Sequence, residues 1–407
     1  MRLVAFLLSL ALLFFCQPTV VLQYSTGGEL SQYERDNLKL FEERYPHIKI
    51  RPVKLPVFSM SQHDSYVTYL SAGEGSVDVF AIDVIWLAEF AQSGFIAPLD
   101  AYFNTKEREI YLPRLLSAGI YQEKLYGIPG VADIGLLYVN QKLLEKKKIK
   151  IKQKASWEFY LGLKLKDIYP LALQAGPSES LICNLLEFFP AEVELLDDLG
   201  QSLQQQKKEW LFALKWLQKA VEVSHKRALN HSEKESSADF LAQKSLFLRN
   251  WPYFLGELRQ AGMKINEDFL LLPLPEKPTI GGWYLVVNEN SPHKEEAALF
   301  LKFMTGQEIQ MRNFTQRYAR GEPVGLPSLS EIYENKELQK EFPELIAVQQ
   351  SLEKARARFI TPRYYEYSRI LLRQIRSFLM GKEKAEIILD KLKDEIEKRS
   401  YSSWENL

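Results

Sequence analysis

A short apolar stretch in the first quarter of the chain constrains the fold more than any other feature of the sequence. Val77 to Ile82 is apolar except for Asp78 and is rich in β-branched residues. This pattern is typical of a strand that is buried on both faces of a parallel sheet. Asp83 ends the stretch. Because ligands of open α/β sheets bind beyond the carboxyl ends of the strands, this carboxylate is placed to accept hydrogen bonds from a ligand.

Two interpretations of Asp83 remain open from the sequence. In the first, Asp83 contacts a ligand, and Trp86 offers a flat apolar face three residues later. In the second, Asp83 is the N-cap of a helix that runs through Leu87 and Phe90. The spacing supports the two interpretations equally.

The segments that precede this strand predict an alternation of strands and helices. Val20 to Tyr24 and Ile48 to Val53 have the pattern of strands, and Ser31 to Tyr45 has the pattern of an amphipathic helix. A second helix is predicted through Tyr66 and Leu70. The order strand, helix, strand, helix, strand is that of a doubly wound α/β lobe.

The composition is that of a globular protein and excludes two classes of partner. The chain has 407 residues, of which 46% are hydrophobic and 26% are charged. This length is ample for two domains. The 52 basic residues balance the 52 acidic ones, so we expect neither nucleic acid nor an anionic membrane surface as a partner. The 7 tryptophans and 20 tyrosines suit a large core and sugar-stacking platforms alike.

The N-terminal segment indicates export. Arg2 precedes Leu3 to Phe15, thirteen residues with a single polar member. Such a stretch is too short to span a bilayer as a helix and fits the apolar region of a signal peptide. No small-x-small cleavage site precedes Gln17, so three outcomes remain open: cleavage nearby, lipidation of Cys16, and an uncleaved anchor. We assign residues 1–22 to this export segment.

Several kinds of active site have no support in the sequence. There is no His-Glu-x-x-His, no Gly-x-Ser-x-Gly and no nucleotide-binding glycine loop, and the five histidines are scattered. We therefore predict no catalytic residues, no metal and no cofactor. Cys183 lies in an apolar run, which favours a buried structural thiol, and lipidation or removal of Cys16 would leave it without a disulfide partner.

Four later blocks bring glycine, aromatic and charged residues together. Two of them surround Asp133 and Trp251, a third contains Gly281-Gly282-Trp283, and the fourth contains Arg358 and Tyr364. Between the second and third blocks, Leu271 to Pro278 carries three prolines and is predicted to be a connection.

Together with the stretch at Asp83, these blocks resemble family 1 of the extracellular solute-binding proteins that serve ABC sugar importers, most of all its trehalose/maltose-binding branch. The resemblance covers the mature chain except Ser156 to Gln206. It implies an α/β fold of two doubly wound lobes joined by a three-segment hinge, as in periplasmic binding proteins of the maltose-binding type. It places 23–131 and 283–325 in the N-terminal lobe and 132–282 and 326–407 in the C-terminal lobe.

The resemblance also implies a sugar site between the lobes. Carboxylates would accept hydrogen bonds from the sugar, an arginine would donate them, and tryptophans would cover its C–H faces. The residues it assigns are Glu29, Asp83, Asp133, Trp251, Gly282, Trp283, Arg358 and Tyr364.

For four of these residues, a structural explanation without any contact to a ligand also remains open. Glu29 is also explained as a solvated charge in the first turn of a helix, and Asp133 as a turn residue after Pro-Gly. Trp251 is also explained as a core residue, and Arg358 as half of a surface ion pair.

The leading hypothesis is therefore an exported, monomeric, non-enzymatic receptor of an ABC importer. Its ligand would be an α-linked disaccharide or related glycoside of the trehalose, maltose, sucrose or glucosylglycerol type. Its macromolecular partners would be the permease subunits of the importer in the membrane. A glycosidase that uses two of the carboxylates and a sugar-sensing subunit of a signalling receptor are the alternatives.

Overall fold

A computed structural model describes residues 19–402, apart from 57–58, 72–76, 152–154 and 323. Cys16 and the apolar part of the export segment lie outside the described residues. The first strand begins at Val20 and pairs with the strand that begins at Ile48, so residues 20–22 of the predicted export segment belong to a sheet. In the described part of the chain, no helix combines the length and apolarity needed to cross a membrane.

The strands form two separate sheets and one short hairpin. They are β1 (Val20–Gly27), β2 (Ile48–Leu55), β3 (Val79–Asp83), β4 (Ile120–Tyr121), β5 (Lys124–Leu125), β6 (Ile128–Pro129), β7 (Leu136–Asn140), β8 (Tyr169–Ala172), β9 (Ser245–Asn250), β10 (Phe269–Pro273) and β11 (Trp283–Val287). The first sheet has the order β2-β1-β3-β11-β6 and the second the order β10-β7-β9-β8. We call the units built on these sheets the first and second lobes, and this architecture confirms the predicted two-lobed α/β fold.

Each sheet is mixed rather than fully parallel. β1 is parallel to β2 and β3, whereas β11 runs antiparallel between β3 and β6. In the second sheet β8 is parallel to β9, and β7 is antiparallel to both β9 and β10. The antiparallel strand β11 arises because the chain enters it from the second lobe rather than from a crossover helix of the first.

Helices pack on both sheets. In the first half of the chain, those of five or more residues are Gln32–Arg44, Ser59–Ser71, Leu87–Gln92, Thr105–Glu109, Pro113–Ala118, Gln141–Lys147, Trp157–Gly162, Glu179–Leu186 and Leu199–Gln205. In the second half they are Lys207–Glu222, Glu233–Leu241, Phe254–Gln260, Lys294–Thr305, Gln307–Arg312, Ser330–Glu334, Lys336–Glu341, Glu344–Lys354, Tyr364–Leu379 and Ala385–Ser402, with a π-helical turn at Asn313–Arg317.

The stretch that ends at Asp83 is the buried strand that its sequence predicts. Val79, Phe80 and Ile82 are fully buried, and Ala81 is nearly so. Phe80 and Ile82 contribute to one hydrophobic cluster, and Val79 and Ala81 contribute to the other. Because successive side chains of a strand point to opposite faces, this division shows that both faces of β3 are covered.

Three segments connect the lobes, between β6 and β7, between β10 and β11, and near Leu326. Ala132 N–H donates to Leu326 O at 2.8 Å, and Gly281 N–H donates to Asp133 O at 3.0 Å. Val84 N–H donates to Gly282 O at 3.1 Å. The three segments therefore lie side by side at the carboxyl end of β3, the place where a ligand is expected.

One predicted connection begins as a strand in the structure. The sequence analysis treated Leu271 to Pro278 as a connection because of its prolines, but β10 covers Phe269–Pro273 and pairs with β7. The prediction holds for residues 274–278 and was wrong for residues 271–273, because β10 is an edge strand and Pro273 is its last residue. Proline lacks the backbone N–H that a central strand uses for hydrogen bonds to both neighbours. The last residue of an edge strand does not need that N–H.

Candidate functional site

Asp83 lies beside Trp283 because β3 and β11 pair in a register that places these two residues opposite each other. Its carboxylate accepts a hydrogen bond from Ile85 N–H at 3.2 Å and so caps the short 3₁₀ helix Val84–Trp86. The same carboxylate oxygen pairs with a guanidinium nitrogen of Arg358 at 3.1 Å. Asp83 is thus both the predicted helix cap and a charge that faces the second lobe.

Arg358 joins the two lobes. Its Nη2 contacts Asp83, and its Nη1 lies 3.2 Å from Oε1 of Glu179, the first residue of the helix Glu179–Leu186. The Tyr364 hydroxyl donates to the same Glu179 oxygen. The Arg358 side chain is 4% exposed, so it is an interior bridge rather than half of a surface ion pair. Burial of one cation between two carboxylates is tolerated because each carboxylate supplies a charge-assisted hydrogen bond.

Glu179 has a pKa close to neutrality. Burial raises the pKa of this carboxyl to about 7, and Arg358 and the Tyr364 hydroxyl oppose the rise. The charge of Asp83 also raises it. A proton on Glu179 would weaken one side of the Arg358 bridge.

Asp133 faces a second aromatic platform at the crossing between the lobes. A Cβ atom added to Gly281 would lie 3.1 Å from Cζ3 of Trp251 and 3.3 Å from Oδ2 of Asp133, so the glycine allows the carboxylate and the indole to approach each other. Within the described part of the chain, no residue donates a hydrogen bond to the Asp133 carboxylate. Burial raises its pKa to about 7, while Arg249 opposes the rise.

Trp251 is held by charged groups rather than by apolar packing alone. The Arg249 guanidinium lies over its ring, 3.9 Å from the centroid, and its indole N–H donates to Glu233 at 3.3 Å. Arg249 is in turn fixed by Glu187 through two hydrogen bonds of 2.7 and 2.5 Å, and both side chains are almost fully buried. A buried ion pair that loses one partner is costly, so this pair keeps Trp251 in place.

A cavity of about 410 Å³ lies against Trp283 in the first lobe. Tyrosines and side-chain amides line it together with the indole; among the lining residues are Tyr24, Tyr33, Asn37, Gln62, Trp283 and Gln310. Both amide atoms of Gln62 and Oδ1 of Asn37 are buried without a hydrogen-bond partner in the described part of the chain. Because buried polar groups are normally hydrogen-bonded, these amides indicate that a polar ligand or water completes the cavity.

Seven of the eight residues assigned from the resemblance lie around the crossing segments and the carboxyl end of β3, and of these seven Trp283 alone also lines the cavity. Asp83, Arg358 and Tyr364 form one group, Asp133 and Trp251 another, and Gly282–Trp283 lies between them. Gly282 has a φ of +122°, a conformation that L side chains rarely adopt.

Glu29 is not brought to the region. Its side chain is 78% exposed and pairs with Lys54, because β1 continues to Gly27 and pairs with β2 to its end. Glu29 is therefore a solvated charge, as the alternative interpretation has it, but it precedes Ser31, the N-cap of the helix Gln32–Arg44, and so lies outside the first turn of that helix.

The sequence reasoning missed Glu179, Glu187, Arg249 and the amides of the cavity. One signal was available, because Arg249 stands in the otherwise apolar block Phe247-Leu248-Arg249 and a charge inside a buried strand requires a partner. Gln62 and Asn37 carried no such signal, since their helices are polar on the solvent side as well.

The family follows from comparison with known proteins. Residues 25–311 match the model of the bacterial extracellular solute-binding protein family. The chain belongs to this family. Its members are solute-binding proteins rather than enzymes, and membership implies export to the periplasm or the cell surface.

Relatives and solved structures agree with this assignment. A Deinococcus radiodurans protein described as a "probable ABC transporter-binding protein" is 25% identical over 320 residues, which are 72% of each chain. Maltose-bound MalE3 of T. maritima has a TM-score of 0.78 at 24% identity and covers 93% of this chain and 99% of its own. The sugar-binding protein MalE of Xanthomonas citri has a TM-score of 0.78 at 17% identity, with coverages of 95% and 100%. These structures confirm the predicted maltose-binding-type fold.

Proposed function

We propose that this protein captures an α-linked disaccharide or a related glycoside between its lobes and delivers it to the permease of an ABC importer. The observation that carries the proposal is the cavity against Trp283, with its unpartnered amides and its position beside the crossing segments. The trehalose/maltose branch, the monomeric state and lipid attachment at Cys16 belong to the same proposal.

The chemistry of the region suits a sugar. A sugar presents hydroxyl groups that donate and accept hydrogen bonds, and C–H faces that pack on aromatic rings. The amides of Gln62 and Asn37 can do both, the Asp133 carboxylate accepts, and the indoles of Trp251 and Trp283 provide flat apolar faces. The cavity volume of about 410 Å³ lies in the usual range for small-molecule sites, roughly 300–1,000 Å³.

Contacts between the lobes support capture by closure. Arg358 bridges Asp83 and Glu179, and Tyr365 stacks on His63 with ring centroids 3.7 Å apart. The Tyr365 hydroxyl also donates to Asp64 at 2.9 Å. Hinge closure of two lobes around a ligand is an established way to sequester it, and these contacts would stabilise the closed form.

The test is calorimetry and thermal unfolding of the full mature chain with trehalose, maltose, sucrose and glucosylglycerol. A sugar present at 100 times its dissociation constant should stabilise the fold by ~2.7 kcal/mol. Chromatography after prolonged incubation should recover the sugar intact. Absence of binding across the panel would refute the proposed ligand class, and hydrolysis of the sugar would favour the glycosidase.

A matched pair of tryptophan variants connects binding to the proposed site. Trp283→Ala should weaken the affinity about tenfold, because it removes a stacking face together with its buried area. Trp216→Ala should leave the affinity unchanged, since Trp216 packs on the core from the helix Lys207–Glu222 and does not line the cavity. Equal affinities in the two variants would remove Trp283 from the site.

A further inference from the structure

Two histidines and an aspartate meet on the second lobe, in a place that the proposed sugar site does not use. His225 and His231 lie in the segment that connects the helices Lys207–Glu222 and Glu233–Leu241, and Asp239 lies on the second of these helices. One ligand atom from each side chain lies within 4.8 Å of the other two. The two imidazole rings are stacked, with centroids 4.8 Å apart.

Asp239 is the unusual member of this group. It is only 7% exposed, and its Oδ2 is buried without a hydrogen-bond partner in the described residues. The nearest ring nitrogen, Nδ1 of His231, lies 3.7 Å from that oxygen, which is too long for a hydrogen bond. A buried carboxylate oxygen directed at two imidazoles therefore has an unmet need for a donor or a cation.

We propose that His225, His231 and Asp239 bind a divalent transition-metal ion, with Zn²⁺ as the best match. Imidazole nitrogen and carboxylate oxygen are ligands that zinc takes in proteins, and a water molecule commonly fills the fourth position of a three-residue site. His225 is half-buried, so the fourth coordination position would be accessible to solvent. Calcium and magnesium are disfavoured because they select oxygen ligands.

The ligands need a small rearrangement to close on the ion. Zinc bonds of about 2.0–2.2 Å place neighbouring ligand atoms about 3.4 Å apart, so ligand atoms that now lie up to 4.8 Å apart must approach each other by up to about 1.4 Å. The connecting segment can supply this movement at its side chains while its backbone stays anchored. Gly176 N–H donates to His231 O at 2.9 Å, and the Ser224 hydroxyl donates to Leu171 O at 2.7 Å.

The charges around the group both favour and oppose an ion. Glu235 adds negative charge nearby, whereas Arg227 adds positive charge. The Arg227 backbone N–H donates to Nδ1 of His225 at 3.1 Å, so His225 must give up this hydrogen bond to coordinate an ion, because its neutral ring carries the proton on Nε2 while Nδ1 accepts. Lys244 lies 3.6 Å from Asp239, but it is 59% exposed and can turn toward solvent when an ion binds.

An ion at this place would stabilise one wall of the proposed sugar site. His231 directly precedes Ser232, the N-cap of the helix Glu233–Leu241. The first residue of that helix, Glu233, accepts the hydrogen bond from the Trp251 indole. The ion would thus fix the start of the helix that orients Trp251, although the metal site itself does not depend on the proposed function.

The test is titration of the untagged full mature chain, freed of metal by a chelator, with Co²⁺ and Zn²⁺. Co²⁺ should bind in a 1:1 ratio and give visible absorption bands, which Zn²⁺ then abolishes by displacement. Asp239→Asn and His231→Ala should each weaken Co²⁺ binding at least tenfold. His47→Ala removes a histidine far away in sequence, between the strands of the first lobe, and should bind as the unaltered protein does.

The outcomes separate this site from adventitious binding. Absence of 1:1 binding by the unaltered chain would overturn the proposal, as would binding that Asp239→Asn and His231→Ala leave intact. Circular dichroism of each metal-free variant establishes that it is folded. Should His231→Ala fail to fold, the near-isosteric Asp239→Asn alone still decides between the outcomes.

Discussion

At the residue scale, Asp83 takes the helix-cap role that the sequence offered and adds an ion pair that the sequence did not suggest, while the alternative of a ligand contact stays a prediction. The carboxylate caps the helix Val84–Trp86 and also pairs with Arg358. Both are available because the carboxyl end of β3 is the start of that helix and also faces the second lobe. A carboxylate at the end of a strand can accept a hydrogen bond from a nearby backbone N–H and pair with a distant cation at the same time. Spacing along the chain predicts only the hydrogen bond with the nearby backbone.

Two substitutions of Asp83 separate these roles. Asp83→Ala should lower the free energy of unfolding by about 1 kcal/mol for the lost cap and by a further ~1.5–3 kcal/mol for the lost charge-assisted hydrogen bond. Asp83→Asn should recover the cap contribution, because asparagine is an equally good N-cap. Urea unfolding of both variants measures the two contributions.

Two outcomes of this comparison would contradict the expected contributions. Full recovery of stability in Asp83→Asn would mean that the negative charge of Asp83 beside Arg358 contributes nothing to the fold. Equal losses in the two variants would mean that the cap contributes nothing.

At the scale of elements, the crossing segments bring carboxylates into the interior. Asp133 lies on the segment between β6 and β7, and its backbone accepts from Gly281 on the segment between β10 and β11. This pairing fixes the half-buried Asp133 side chain beside Trp251. The raised pKa of Asp133 is thus a consequence of how the segments pack and is invisible in the Pro-Gly-Val-Ala-Asp sequence.

The pKa of Asp133 predicts a pH-dependent effect of one substitution. Burial raises this pKa from an ordinary value of 3.8 to about 7, so the folded state binds the proton more tightly than the unfolded chain. The contribution of Asp133 to the stability of the sugar-free protein should therefore fall as the pH rises between about 4 and 7. Asp133→Asn carries no charge to bury and should be more stable than the unaltered protein at pH 8.

Thermal unfolding from pH 5 to pH 8 provides the measurement. The difference in Tm between Asp133→Asn and the unaltered protein should increase with pH. A difference that is constant across this range would show that Asp133 does not titrate there. Glu257→Gln serves as a comparison. Burial also raises the pKa of Glu257, but this residue lies on the helix Phe254–Gln260 and not on a segment that crosses between the lobes.

At the scale of the whole molecule, Arg358 couples the two lobes. It neutralises a carboxylate of each lobe from a single buried position. Removing the cation leaves Asp83 and Glu179 facing each other as like charges, which favours separation of the lobes or protonation of one carboxyl. Arg358 is therefore one of the contacts that set the relative position of the lobes, together with the stacking of Tyr365 on His63.

Arg358→Met should open the sugar-free protein. The variant keeps the apolar volume of the side chain and loses the two ion pairs, so we expect a larger radius of gyration by small-angle X-ray scattering. Arg363→Met is the matched control, because Arg363 pairs with Glu366 on the adjoining helix and not with the first lobe. Identical scattering from the unaltered protein and both variants would refute a role for Arg358 in holding the lobes together.

The sequence by itself determined the local features of this protein. The buried strand that ends at Asp83, the glycine pair before Trp283 and the alternation of strands and helices are set by near neighbours in the chain, so their patterns predict them directly. The two-lobed fold followed from the resemblance for the same reason, since its blocks are local motifs in a fixed order. The prediction based on prolines did fail for residues 271–273, because Pro273 ends an edge strand, where the missing N–H of proline is tolerated.

Only the tertiary structure decided which charges meet. Arg358 contacts Asp83 and Glu179, which are 275 and 179 residues away along the chain, and Glu187 holds Arg249 across 62 residues. The same holds for Glu29, which pairing of β1 with β2 directs to Lys54 rather than to the site. Long-range electrostatic contacts depend on how elements pack, and packing places side chains from distant positions within a few ångströms without leaving a periodic signal in the sequence.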